Sequence, residues 1–453
     1  MRLTEKTEVL KERKDSVVTK SKGKRQTVAC GMDSTAGTVS QRACVYCGAR
    51  VVLNPITDAY HIVHGPVGCA SYTWDIRGSL SSGSEIYRNS FSTDLREQDI
   101  IFGGEKKLAG AIDEIAQAYK PSVIFVYSTC VVGVIGDDID SVCKDAQRKL
   151  NLRVIPVRST GFAGNKSSGY RAACDAILEL IGDAAPVQNR QGINFLGDFN
   201  LAAEQWIVRD YFKQIGVKMQ TAITGDSTSE GLRCAIKASF NIVQCAGSMH
   251  HLARKMEEKY NIPYISVSFY GVEDTARSLR AIAIKTGNDK VIRKSEELIE
   301  KKSSETNKRL DFFREHLAGK KAAIYVGGGF KAISLMKQFA DIGITAVIVG
   351  TQTGLEKEYE ILHEIADNGT IILDDSNPFE LEGFIREKQA DILVGGVKER
   401  PLAYKLGVAF LDHNHERKHP LAGFEGALNF AQEAYNTINS PVWRLIRKDW
   451  RDT

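Results

Sequence analysis

Short apolar runs rich in β-branched residues alternate along this chain with segments whose apolar positions recur at helical spacing, beginning near Cys44. A run of four to eight apolar residues bounded by turn residues reads as a buried strand, and a 3.6-residue apolar period reads as a helix with one face inward. Three blocks of this kind follow one another. The first has PSVIFVYSTC as strand, DDIDSVCKDAQRKL as helix and LRVIPVRST as the next strand. The second has GINFLGDF, TAITGD, NIVQCAG and PYISVSF as strands, with MHHLARKMEEKY as a helix between the last two. The third has AAIYVGG, ITAVIVG, TIILDD and ADILVGG, separated by helices such as ISLMKQFADIG and FELEGFIREKQ. Strands alternating with helices predict an α/β fold, with parallel sheets flanked by helices on both faces. The predicted organisation is a basic N-terminal arm over 1–42, α/β domains over 43–190, 191–288 and 322–453, and a polar bridging helix over 289–321. The bridging segment is dense in charge pairs four residues apart, which support an exposed helix.

Composition narrows the class without naming it. The chain has 453 residues, 43% hydrophobic and 26% charged, which suits a globular protein of several domains. Nine cysteines are too few to staple a chain of this length, and the start shows no apolar leader, so a reducing, cytoplasmic setting is expected. Even the most apolar run, around PSVIFVYSTCVVGVIG, falls short of the roughly 18 residues a membrane span needs, so no membrane partner is expected. Net charge is only +4, yet the first 25 residues carry nine Lys/Arg against four Asp/Glu. Lacking interleaved aromatics or a recognition motif, this arm is expected to be solvated or draped on a protein partner, and no nucleic acid is predicted to bind.

Three cysteines stand in three turn settings: Cys44 in RACVYCGAR, Cys69 in HIVHGPVGCASYTWD and Cys130 in YSTCVVGVIGDD. No two are spaced as in a ferredoxin run or a zinc finger, so any group they bind must be assembled by the fold. Thiolate is the usual soft ligand of cluster iron, and glycines beside Cys130 allow the backbone close to inorganic sulfide. Cys44 and Cys47 form a CxxC pair, but the pair is expected at the approach to a strand, without the helix dipole that activates a thioredoxin-type thiolate. Gly327, Gly329 and Ala332 follow the spacing of a dinucleotide loop, but VIVGTQTG supplies no ribose-binding carboxylate. Cys130 and Cys245 are both placed at carboxyl ends of strands, where ligands of parallel α/β sheets bind.

HIVHGPVGCASYTWD, DLREQDIIFGGEKKL, STCVVGVIGDD, GFAGNKSSGYR, MEEKYNIPYISVSFYG and GGVKERPLAYKLG together resemble the nitrogenase component 1 family, over nearly the whole chain after about residue 40. The resemblance implies three Rossmann-like domains of the α-subunit type and a heterotetramer with a homologous, NifN-type subunit. It implies that Cys44, Cys69 and Cys130 are this chain's ligands to a 4Fe-4S cluster at the subunit interface, and that Cys245 anchors a larger iron-sulfur-carbide cluster, the iron-molybdenum cofactor precursor. Cys47 lies outside the matched pattern.

Two departures from the catalytic subunit follow from the same motifs. Its second cofactor anchor is a histidine before a Gly-aromatic-acidic-Gly sequence, and here Ala422 stands there; its substrate-side histidine has no counterpart between Gly65 and Met249, where Asn165, Lys166 and Tyr170 occupy the loop. One thiolate anchor without the imidazole suits a site that modifies a cluster and releases it. The implied role is a maturation scaffold: the precursor acquires molybdenum and homocitrate with the nitrogenase iron protein, arriving from a cluster donor protein and leaving for apo-nitrogenase. No catalytic residue is assigned, and any activity would be nitrogenase-like reduction. Lys166, Lys331, Arg417 and Lys418 are expected to neutralise the anionic cargo, and His413, His415 and His419 are weighed as transient metal or proton sites against ordinary loop histidines. The alternatives are a catalytic nitrogenase α subunit and a cluster-dependent tetrapyrrole reductase.

Overall fold

The apolar runs become parallel strands, and the periodic segments become the helices that cover them, in a computed structural model that describes residues 7–23, 27–31, 42–72, 89–183, 187, 189–244, 246–413, 417 and 419–443. The chain divides into two units, Ala43–Val267 and the segments Met1–Arg42 with Ser268–Thr453. A 3-10 turn over Lys11–Ser16 leads into a short strand β1 (Val17–Thr19), which belongs to the second of these.

Within Ala43–Val267 the elements run α1 (Val45–Leu53), β2 (Ala59–His64), α2 (Val67–Tyr72), β3 (Ser90–Ser92), α3 (Glu97–Phe102), α4 (Glu105–Tyr119), β4 (Val123–Ser128), α5 (Cys130–Ile135), α6 (Ile139–Leu150) and β5 (Arg153–Val157). Their sheet has the order β3-β2-β4-β5, all parallel. Every residue of β4 is buried, as expected of a central parallel strand covered on both faces. Helix α4 buries Leu108, Ile112 and Ile115, one stripe at helical spacing. Then come α7 (Lys166–Ile181), β6 (Ile193–Asp198), α8 (Glu204–Ile215), β7 (Met219–Thr224), α9 (Ser229–Arg233), β8 (Phe240–Val243), α10 (Ala246–Tyr260) and β9 (Tyr264–Ser266). The second sheet is β7-β6-β8-β9, again parallel, and one core that includes Phe125, Tyr127, Ile177, Leu196 and Met256 joins the two sheets.

The other unit continues with α11 (Val272–Thr286), α12 (Asp289–Leu317), β10 (Lys321–Val326), α13 (Gly329–Asp341), β11 (Thr345–Thr351), α14 (Glu356–Ile365), β12 (Ile371–Asp374), α15 (Pro378–Lys388), β13 (Ile392–Gly395), α16 (Arg400–Leu406), β14 (Ala409–Asp412) and α17 (Gly423–Ile438). The sheet order β1-β12-β11-β10-β13-β14 reverses direction at β10, a switch point between β10 and β13. The 29 residues of α12 bury a stripe that includes Val291, Leu298, Leu310 and Leu317, and the helix packs on α11 and α17.

Two local expectations change. The CxxC segment opens a helix, not a strand: Cys44 is the N-cap of α1, and Cys47 is buried inside it. The cause is tertiary. Helix α1 crosses α7 so closely that a Cβ on Gly48 would meet the Lys166 carbonyl, and one on Gly169 would meet the Val45 carbonyl, contacts that hold a β-branched segment helical. The described part of the basic arm is docked through its strand and two arginines, while Lys11, Lys14 and Lys22 stay exposed. β1 adds antiparallel to β12, the buried Arg13 guanidinium pairs with Glu380 at 3.2 Å, and Arg42 pairs with Asp374 at 2.6 Å. Charges shielded this well hold an arm in place, because removing one partner strands the other in the interior. No helix among the described residues is long and apolar enough to cross a membrane.

Candidate metal centre

Parallel register brings the segments that carry Cys69 and Cys130 out of one sheet end next to each other. His64, the last residue of β2, is paired with Ser128, the last of β4, so the chain leaves the sheet at adjacent points into α2 and α5. Cys69 lies in α2, where its N–H donates to the Pro66 carbonyl at 3.1 Å. Cys130 is the first residue of α5, behind an extended Thr129 N-cap. Cys44 arrives from α1. A Cβ on Gly161 would stand 2.7 Å from Cys130 Sγ and 3.4 Å from Cys44 Cβ, so this turn passes against both residues and has room only for glycine. Burial pushes the Cys69 thiol above its usual range, and the charges of Cys130 and Cys44 add to that.

The three sulfurs thus share one electrostatic environment. Among the described residues no three His, Cys, Asp or Glu side chains close on a single ion. A half-shell of three separated thiols instead suits a polynuclear iron-sulfur group, in which each corner iron takes one soft ligand. Cys143 and Cys174 contrast with them: burial pushes both thiols up to about 12, which keeps them protonated and makes them core side chains.

On the helices and turns that carry or adjoin these cysteines, several large apolar side chains are exposed. Phe102 at the end of α3 is 85% exposed and Val134 in α5 is 77% exposed, with Val67, Ile101 and Phe162 also open. A Cβ on Gly133 of α5 would come 2.9 Å from the Phe162 ring, so α5 and the 3-10 turn over Gly161–Ala163 abut. Large exposed apolar side chains gathered in one region mark a surface that another protein covers. Residue-type reasoning passed over this rim because single exposed apolar residues are ordinary.

The other predicted site residues fall in three groups. Asn165 caps α7 by accepting from the Ser167 N–H at 2.9 Å, Lys166 begins that helix half-buried with its carbonyl against Gly48, and Tyr170 packs on the core. Cys245, Lys418 and His415 lie outside the described residues. In the C-terminal unit Lys331, in the first turn of α13, donates to the His413 carbonyl at 3.4 Å, and Arg417 is buried. Burial first, then the Arg417 and Lys331 charges, hold His413 far below the usual imidazole range, so it is neutral. His419 is exposed, with Nε2 at 4.0 Å from Glu433, and Ala422 is a buried N-cap of α17.

The same sheet end holds an acid that sequence reasoning missed. Glu399, inside the GGVKERP motif, is 2% exposed; Oε2 accepts from the Gly396 N–H at 2.7 Å, and Oε1 has no hydrogen-bond partner among the described residues. Burial is the main cause that raises its carboxyl to about 7, against a partial offset from the Gly396 N–H. A carboxyl raised on folding contributes stability that is complete below its unfolded value near 4.5 and is lost as pH rises through about 7. Glu399→Gln removes that loss. The expected result is apoprotein about 2 kcal/mol more stable than wild type at pH 8 and near parity at pH 4.5, read from paired denaturant titrations. A pH-independent difference would show that Glu399 is not the titrating group. A separate cavity of about 370 Å³ lies where Lys20 and Ser21 face Tyr359, Glu360 and His363, and no predicted site residue lines it.

The sequence pattern of the family described as nitrogenase component 1 type oxidoreductase matches residues 44–439, and the chain belongs to that family. Among named relatives, it is 62% identical over 444 residues to the nitrogenase iron-molybdenum cofactor biosynthesis protein NifE of Clostridium pasteurianum, covering 97% of each chain. It is 48% identical to NifE of Methanosarcina barkeri, over 97% of this chain and 98% of that one. Among solved structures it is similar to a chain of nitrogenase Cp1 at pH 5, with a TM-score of 0.87 and 31% identity over 97% of both. Three sheets flanked by helices, parallel except where β1 joins β12, carry the α/β fold expected from the sequence, and it is the fold of this family.

Proposed function

We propose that this chain is a scaffold subunit for maturation of the nitrogenase iron-molybdenum cofactor. The observation that carries the reading is similarity along almost the full length to relatives named for that biosynthesis, at 62% identity for one of them. The three-thiol half-shell supports it, because a set incomplete by one ligand, opening on an apolar surface, is what a cluster shared with a second subunit requires. In this reading Cys44, Cys69 and Cys130 hold a 4Fe-4S cluster against a homologous, NifN-type subunit, and the rim of Phe102, Val134 and Phe162 is covered in the heterotetramer. The cluster supplies electron transfer when bound. The protein's part is to fix three thiolate directions and to exclude water at the covered rim.

The cargo is the iron-sulfur precursor, anchored by Cys245, while Lys166, Lys331, Arg417 and Lys418 compensate its charge and that of the homocitrate carboxylates. Ala422, in place of an imidazole, leaves the cargo with one strong anchor. That favours release to apo-nitrogenase after molybdenum insertion, for which the iron protein and a cluster donor are the further partners. The test is anaerobic isolation with the partner subunit, followed by iron analysis and electron paramagnetic resonance of wild type and Cys245→Ala, both loaded with precursor. The variant is expected to lose the large-cluster iron and to keep the 4Fe-4S signal. Iron content and spectra equal to wild type would make Cys245 structural and overturn the cargo site.

A further inference from the structure

One buried hydrogen-bonded pair ties together the two chain segments that present Cys69 and Cys130. His64 ends β2, five residues before Cys69; Asp137 follows α5, seven residues after Cys130. His64 Nε2 lies 3.0 Å from Asp137 Oδ2, with side chains 0% and 3% exposed. The rest of the arrangement fixes the tautomer. Asp137 also accepts from the Gly104 N–H at 3.1 Å, so it faces donors on both sides and accepts from His64 Nε2–H as well. On the other side His64 Nδ1 is 3.0 Å from Thr93 Oγ1, which accepts from the Gly65 N–H at 3.1 Å and so turns its own proton toward the ring. Burial outweighs the pull of Asp137 and keeps the imidazole neutral. Beside this chain of bonds, a Cβ on Gly65 would run into the Thr129 side chain, one residue before Cys130. The turn toward Cys69 and the helix start at Cys130 are therefore pressed together at one point and bonded at another.

We propose that the His64–Asp137 pair is a positioning clamp that sets the separation and direction of the Cys69 and Cys130 thiolates, and through them the retention of the cluster. Each residue acts through the segment it holds. The inference rests on the assignment of the three cysteines as cluster ligands. Groups that orient metal ligands from outside the ligand shell commonly change metal affinity by about 10- to 100-fold when removed.

The experiment uses the complex with its partner subunit, loaded with its 4Fe-4S cluster, and follows iron release to a ferrous chelator under anaerobiosis, with the resonance spectrum and midpoint potential of the retained cluster. Asp137→Ala is expected to release iron about tenfold faster and to shift both spectrum and potential. Asp137→Asn is expected to stay close to wild type, because the isostere still accepts from Gly104 and from His64. Rates and potential of Asp137→Ala equal to wild type would overturn the clamp, as would Asp137→Asn behaving like Asp137→Ala, which would assign the effect to charge and not to position. If Asp137→Ala does not assemble, His64→Gln decides: it keeps a donor for Asp137 and loses the acceptor for Thr93, and an unchanged release rate in the assembled complex overturns the proposal. Cys69→Ala in parallel separates the two layers. Full iron in that variant would remove the ligand assignment itself, whereas loss there with no effect of the clamp variants would remove only the clamp.

Discussion

Cys130→Ala is expected to abolish assembly of the 4Fe-4S cluster while leaving the chain folded. Iron in the isolated complex should fall by about four atoms per pair of unlike chains, and the cluster's resonance signal should vanish. The fold should tolerate the change because Cys130 is exposed, at the start of a helix of six residues, and its sulfur contributes little to the core. Its neighbour Gly161 is packed so close that alanine removes a contact without opening an interior cavity. Cys143→Ala is the matched control: a buried thiol raised to about 12 is no ligand, so iron should stay constant while stability falls by about 1 kcal/mol. The comparison is made by anaerobic iron analysis beside thermal melting. Equal iron in Cys130→Ala and wild type would detach this residue from the cluster.

Gly169→Val is expected to be the most damaging single substitution in the N-terminal unit. A Cβ at Gly169 meets the Val45 carbonyl, the Ala49 nitrogen at 2.6 Å and the Gly48 Cα at 2.8 Å, all of them main-chain atoms of α1. No rotamer relieves a clash with backbone, so α1 and α7 must separate. The loss is expected to be about 3 kcal/mol or more, because separation also uncovers Ala49, Ala173 and Ile177 in the shared core. Since Cys44 is the N-cap of α1, cluster loading should fall with stability. Gly110→Ala on α4 provides the contrast: nothing lies within 4 Å of the new methyl group, and an exposed helical site is expected to gain up to about 1 kcal/mol. Denaturant midpoints of both variants check the pair. A Gly169→Val midpoint like that of wild type would mean that α1 and α7 are not locked through these glycines.

Recognition was uneven along the chain for reasons visible in single elements. Central parallel strands such as β4, β8, β10 and β11 were legible because they are apolar on both faces and read as unbroken runs. β2 was not, since Tyr60, His61 and His64 interrupt its apolar residues, and all but Tyr60 are buried. β1 (VVT) and β3 (SFS) are edge strands with two and one apolar residues, too few to make a run. α1 misled because Val45, Val51 and Val52 favour strand by propensity, and only the crossing with α7 decides otherwise. The same contrast holds at the site. The cysteine types and their turn settings were visible along the chain, but Glu399, the apolar rim and the His64–Asp137 pair required partners distant in sequence to acquire meaning.

Periodicity was therefore sufficient for the α/β class, and resemblance to known motifs for the family, while Cys44, Cys69 and Cys130 were singled out by their turn settings and by that same resemblance. Convergence of the three thiols, the helical state of α1 and the docking of the basic arm were settled by packing between remote segments. Strand register, a backbone contact through Gly48 and Gly169, and ion pairs shielded from water such as Arg13–Glu380 act over sequence separations that no local pattern encodes.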